Sequence, residues 1–195
     1  LTRGSEVVKM SKRSGSFITL KEMVDEVGRD AVRFMMVTRK NDAPLDFDYE
    51  LVKEQTKDNP IFYIQYAHAR ICSVIRKVSE EKLFDIDDKY LLKSEINLLD
   101  KNDDIELIKI VSNFPRIIEQ SALYREPHRL AFYLKDLASS FHSYWNLGNE
   151  NADFKVINKD DIETSRARLS LIRSVGITIS EGLSLLGIEA LEELR

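Results

Sequence analysis

Apolar residues that recur every three or four positions through most of this chain restrict it to packed α-helices. The longest stripe begins after Asn59-Pro60, a favoured N-cap followed by a favoured first helical residue. It runs Ile61, Ile64, His68, Ile71, Ile75 and Val78, predicting a helix to about Lys82. A second, opened by Pro127, carries Leu130, Leu134, Leu137, Phe141 and Tyr144 or Trp145, and Leu147-Gly148-Asn149 should end it. A third starts near Asp161 and carries Leu169, Ile172, Val175 or Gly176, Ile179, Leu183 and Leu186, with Gly187 as its stop. Gly176 and Gly182 each cost about 1 kcal/mol against Ala inside a helix, so they imply close packing.

Shorter helices fill the rest. Thr19 and Glu22 form a capping box for a helix with Leu20, Met23, Val24 and Val27 inward, closed by Gly28. Asp30 can cap Ala31 to Thr38, and Asp46 or Asp48 a helix to about Lys57. Further on, Asp104–Asn113 should bury Ile105, Ile108 and Val111 or Ser112. Pro115 to Tyr124 should bury Ile117, Ile118 and Ala122. Helical periods joined by short connections describe an all-α, antiparallel helical bundle, preceded by a short irregular segment and connecting helices. The divisions are 1–18, 19–58 and 59–195.

Gly 7 and Pro 4 in 195 residues suit this helical reading. The net charge of −4 argues against general adhesion to nucleic acid, so any such contact must come from local basic patches. Between positions 80 and 106 ten acids face four lysines, which predicts a solvated linker with a short helix near Ser94–Asp100. Cys72, the one cysteine, excludes an internal disulfide and suits a reducing cytoplasm; in its helix it should be a small buried hydrophobe. Three scattered histidines give no zinc pattern, and no metal is expected. No run of about 18 apolar residues indicates a membrane span, and no signal peptide is visible. The chain starts at Leu1, which points to a processed product or to a piece whose upstream part is missing.

Before the first helix lies Lys9-Met10-Ser11-Lys12-Arg13-Ser14-Gly15. By charge alone this is a solvated basic run. By spelling it resembles the KMSKS loop of class I aminoacyl-tRNA synthetases, which lies over the ATP phosphates. Lys9 and Lys12 take the two lysine positions and Arg13 replaces the final Ser. The resemblance implies that these lysines stabilise charge as pyrophosphate departs.

Later stretches resemble arginyl-tRNA synthetases in order and spacing. They are Gly28-Arg29-Asp30-Ala31-Val32-Arg33-Phe34, Leu45-Asp46-Phe47-Asp48, Asn59-Pro60 through Gln65-Tyr66-Ala67-His68-Ala69-Arg70, Glu126-Pro127-His128-Arg129-Leu130, Ser139-Ser140-Phe141-His142-Ser143-Tyr144 and Gly182-Leu183-Ser184-Leu185-Leu186-Gly187-Ile188. The resemblance implies a tail of the catalytic domain, a helical connecting region and a DALR-type anticodon-binding domain. It also implies ATP and arginine as substrates, tRNA(Arg) as partner, a cytoplasmic location and a monomer. The first class I signature is absent, so this portion alone should not catalyse ligation. A non-catalytic helical RNA- or protein-binding module, or another class I enzyme such as the cysteinyl one, are the alternatives.

The candidate tRNA contacts are Tyr66, His68, Arg70, Arg125, Arg129, Tyr144 and Trp145. Tyr66 and Arg70 share a helix face and can either hold an unpaired base or serve packing and a surface ion pair. His68 lies on the apolar stripe and can be a core histidine or an RNA contact. Trp145, beside Tyr144, can be a stacking platform or a bundle cap. Arg125, His128 and Arg129 surround a helix start and can bind phosphate or form surface ion pairs. Arg166, Arg168 and Arg173 should lie on a solvated face.

Overall fold

The computed structural model describes residues 2–3, 6–7, 19–40, 43, 48, 52–54, 56 and 58–194. The Lys9–Gly15 loop lies outside them, as does most of the helix expected from Asp46 or Asp48 to Lys57. Two short antiparallel strands, β1 (Thr2–Arg3) and β2 (Glu6–Val7), pair Thr2 with Val7. All other regular structure among the described residues is helical.

Helix α1 (Leu20–Val27) has the expected capping box. The Thr19 hydroxyl accepts the Glu22 N–H at 3.1 Å, and the Glu22 carboxylate accepts the Thr19 N–H at 2.7 Å. Met23 is buried, whereas Leu20 is exposed. Helix α2 (Arg29–Val37) starts two residues earlier than the Asp30 cap predicts, after Gly28 at φ 85°. Asp30 is inside the helix, and its carboxylate accepts the backbone N–H of Glu189 at 3.1 Å.

Helix α3 (Pro60–Glu80) follows its predicted cap and stripe, with Ile61, Ile64, His68, Ile71 and Val78 buried. The expected linker after it is packed instead of solvated. Helix α4 (Asp88–Leu91) and a 3-10 turn (Ile96–Leu98) lie against the last long helix, burying Leu91, Ser94 and Leu99. All of its acids except Asp104 face water, while these few residues anchor the segment.

Helix α5 (Asn102–Ser112) has a different inward register from the predicted one. Leu107 and Asp104 are buried and Ile105 is exposed. The cause is polar: the Asp104 carboxylate accepts the Tyr144 hydroxyl at 2.6 Å and the Lys101 N–H at 3.3 Å. Helix α6 (Phe114–Tyr124) stops at Arg125, whose φ of 55° is left-handed; Ala122 is exposed.

Helix α7 (His128–Glu150) continues through Gly148 instead of ending there. A Cβ at Gly148 would stand 3.0 Å from the Phe154 carbonyl oxygen and 3.2 Å from Lys155 Cα. The glycine therefore admits the following loop, with its 3-10 turn (Ala152–Phe154), against the helix.

Helix α8 (Ile162–Leu185), capped by Asp161, packs on both α3 and α7. Its two interior glycines sit where side chains interlock. A Cβ at Gly176 would meet Ile71 Cγ2 at 3.1 Å, and one at Gly182 would meet Leu134 Cδ2 at 2.6 Å. Gly187, at φ 70°, ends α8 in a Schellman arrangement: its N–H reaches Ser184 at 2.8 Å and the Ile188 N–H reaches Leu183 at 2.9 Å.

The register of α5 can be checked by urea unfolding. Leu107→Ala should cost about 2–5 kcal/mol, the range for emptying a closed core site. Ile105→Ala should cost less than about 1 kcal/mol. The reverse ranking would restore the register expected from periodicity.

Candidate functional site

The facing surfaces of α3 and α7 bring together three of the predicted residues, Tyr66, Arg70 and Trp145. One helical turn separates Tyr66 from Arg70, and the Arg70 Nη2 donates to the Tyr66 hydroxyl. The guanidinium carbon lies 4.4 Å from the Tyr66 ring centroid and 5.4 Å from that of Trp145. Arg70 is thus held between two rings on different helices. Among the described residues it forms no ion pair, so its charge is not neutralised by a carboxylate.

His142, absent from the predicted set, completes the cluster from the α7 side. Its ring lies 5.3 Å from Tyr66 and 4.3 Å from Tyr63, centroid to centroid. Nε2 is 3.2 Å from the Tyr63 carbonyl oxygen and Nδ1 is 3.5 Å from Arg70 Nη1. A carbonyl on one side and a guanidinium on the other favour the neutral tautomer, with the proton on Nε2. Burial lowers the imidazole pKa; the Tyr63 hydrogen bond opposes this, and the charge of Arg70 adds to the lowering. Sequence offered one signal for His142: its position one residue from Phe141 on a helix whose neighbours are aromatic.

Two concavities meet at Trp145. One, of about 590 Å³, includes Tyr66, Arg70, Ser73, Arg76 and Lys77 on one side and positions 192–194 on the other. The second, of about 280 Å³, includes Val74, Lys77, Gly148, Lys155, Val156 and Lys159. Glu81 bridges Lys159 at 2.7 Å and lies 3.9 Å from Lys77. A half-buried aromatic flanked by two basic hollows can stack on a nucleobase while cations meet its phosphates.

The other predicted residues are elsewhere. Tyr144 points into the core toward Asp104 and is 3% exposed, so it is not an outer contact. Burial, then the Asp104 carboxylate, push its phenol pKa up. His68 is buried and its Nδ1 lies 2.9 Å from the Leu191 carbonyl oxygen, a packing role. Cys72, half-buried, lies 3.8 Å from the same ring. Arg125, the cap after α6, and Arg129, in the first turn of α7, are exposed; Arg129 is sixteen residues or about 24 Å from Trp145 along the helix. Arg129 pairs with Glu126 and lies 5.5 Å from the Tyr124 ring centroid; His128 is buried.

Arg168 is also not on a solvated face. It is 4% exposed and its Nη1 donates to the Lys155 carbonyl at 2.9 Å. It therefore fixes the loop that forms one wall of the smaller hollow. Arg166 is largely covered as well, donating to the Tyr90 hydroxyl at 3.1 Å, while Arg173 meets Asp88 at 3.4 Å on the surface. Among the described residues no group of His, Cys, Asp or Glu could hold a metal ion, and no helix is long and apolar enough to cross a membrane.

This is a helical domain whose half-buried aromatic and basic cluster has the chemistry of a nucleic-acid interface. The family model for the DALR anticodon binding domain matches residues 64–194, and the chain belongs to that family. It is 53% identical over its full 195 residues to an arginine–tRNA ligase of Parvibaculum lavamentivorans, covering 33% of that relative. A Bartonella quintana arginine–tRNA ligase is 52% identical over 195 residues, again with 33% of its length covered. The chain thus spans about a third of these curated relatives. Among solved structures, Thermus thermophilus arginyl-tRNA synthetase superposes with a TM-score of 0.68 at 31% identity, over 94% of this chain and 29% of that one.

The lowered His142 pKa has a consequence for stability. Above about pH 6.5, the ordinary histidine value, the ring is neutral in both folded and unfolded chains. Below it the unfolded chain takes up the proton first, so stability falls with pH. Unfolding free energy measured at pH 7.5 and 5.5 should show a drop that is smaller in His142→Gln. An equal drop in both proteins would contradict the buried neutral ring.

Proposed function

We propose that this chain is the C-terminal portion of an arginine–tRNA ligase and that it holds the anticodon stem-loop of tRNA(Arg). The observation that carries this is the Tyr66–Arg70–Trp145 cluster, open on one side and flanked by basic hollows. The family membership and the shared name of the relatives support it. Unpaired bases would stack on Trp145 and Tyr66, and Arg70 would supply a fixed fork of donors for a base edge or a phosphate. Arg129, about 24 Å away along α7, and Arg125 before that helix would meet phosphates further along the stem. His68 and Tyr144 would act through packing.

The whole ligase would join arginine to its tRNA through an arginyl-adenylate made from ATP. Lys9 and Lys12, within Lys9-Met10-Ser11-Lys12-Arg13, would steady the departing pyrophosphate as point charges. The division of the chain at 58/59 would separate the connecting helices from the RNA-holding bundle. The rest of the ATP and arginine pockets would lie in the remaining two thirds of the ligase, so this chain alone would not aminoacylate. A cytoplasmic monomer is the working state.

Binding of a tRNA(Arg) transcript measures the interface directly. Trp145→Ala should weaken it by about 5- to 150-fold, the worth of one stacked base. Arg129→Ala should weaken it less and reduce the salt slope by about 0.9. Wild-type affinity in both Trp145→Ala and Arg70→Ala would refute the assignment. In the complete ligase, Lys12→Ala should slow ATP–pyrophosphate exchange far more than it weakens tRNA binding; equal losses would remove the proposed role of the loop.

A further inference from the structure

The segment that follows α8 is a strap with an acidic edge, held in place by side chains of two helices. On α2, Arg33 donates to the Leu186 carbonyl, Arg29 to that of Gly187 at 3.4 Å, and Asp30 accepts the Glu189 N–H at 3.1 Å. On α3, Gln65 donates to the Glu189 carbonyl at 3.1 Å, and His68 lies 2.9 Å from that of Leu191. The strap's own Ile188 is buried. The strap therefore runs along α3 toward the aromatic cluster with its backbone fixed. It places Glu192 and Glu193 on the wall of the hollow opposite Arg70, Arg76 and Lys77. There the Glu193 carboxylate meets Arg76 Nη2 at 3.2 Å.

We propose that Glu193 is an electrostatic gate on this hollow, occupying Arg76 as an RNA phosphate would and yielding only to a polyanion that displaces it. The proposal rests on the hollow being the RNA site described above. Three observations combine. The carboxylate is delivered by an anchored backbone, so its local concentration at Arg76 stays high. The ion pair is exposed on both sides, 41% for the arginine and 64% for the glutamate, so it is weak enough to exchange. Arg70, in the same hollow, is held by rings and forms no ion pair among the described residues. RNA that stacks on Trp145 beside Arg70 engages without opening the gate. RNA that relies on charge must first compete for Arg76.

The test is binding of a fluorescein-labelled oligouridine, a charge-dominated single strand, to the intact protein by anisotropy. Glu193→Gln should bind it about two- to fivefold more tightly at low salt, the equilibrium worth of an exposed ion pair. The slope of log affinity against log salt should steepen by about 0.7, one extra single-strand phosphate contact. In the Arg76→Ala background, Glu193→Gln should give no gain, and circular dichroism should report all three variants folded. Unchanged or weaker binding by Glu193→Gln, or a gain that persists without Arg76, overturns the gate. If Arg70→Ala still weakens binding in that case, the hollow remains the RNA site and only the gate falls. If neither Arg70→Ala nor Glu193→Gln moves it, both fall.

Discussion

Everything on the outer surface depends on how closely α8 can approach α3 and α7. Gly176 lets Ile71 of α3 press onto the α8 backbone, and Gly182 does the same for Leu134 of α7. Ile64, Leu134, Leu137, Phe141, Leu169, Ile172, Ile179 and Leu183 close the space between the three helices and are essentially without solvent contact. Such a core transmits small shifts because it is packed to crystalline density. The separation of α3 and α7 is fixed by it, and with that the gap between Tyr66 and Trp145 into which Arg70 fits.

Polar groups inside this framework set direction more than they add cohesion. Asp104, Tyr144 and Arg168 lie under the surface that carries Trp145. Asp104 ties α5 to α7 through Tyr144, and Arg168 ties α8 to the loop after α7 through the Lys155 carbonyl. Buried groups of this kind are costly when unpaired, which makes their geometry exacting. His142 does the equivalent work in the cluster itself, with a backbone carbonyl on one ring nitrogen and Arg70 near the other. A guanidinium arranged beforehand loses less freedom when it takes a ligand.

Periodicity made the three long helices legible, because an apolar face wide enough to drive burial also writes an unmistakable stripe. It misjudged Ile105, since one buried carboxylate at Asp104 rotated a short helix whose apolar residues allow two faces. It misjudged Gly148, because a glycine that ends a helix and one that admits a neighbouring backbone are spelled alike. The acidic stretch from 80 to 106 read as solvated, yet Leu91, Ser94 and Leu99 are enough to dock it. Local spacing placed Tyr66 beside Arg70. The approach of Trp145 and His142 is tertiary and has no local signature. For the same reason Tyr144 and Trp145, adjacent in sequence, could not be told apart as inner and outer residues until the helix had a rotation.

Trp145 is the only tryptophan in the chain, so its fluorescence reports on the cluster without a label. Titration with the isolated anticodon stem-loop of tRNA(Arg) should quench that emission in a saturable manner, with a midpoint equal to the dissociation constant found by an independent binding assay. Saturable binding of the same RNA with the emission unchanged in intensity and wavelength would contradict the account, because the RNA would then be held on a surface that leaves this ring untouched.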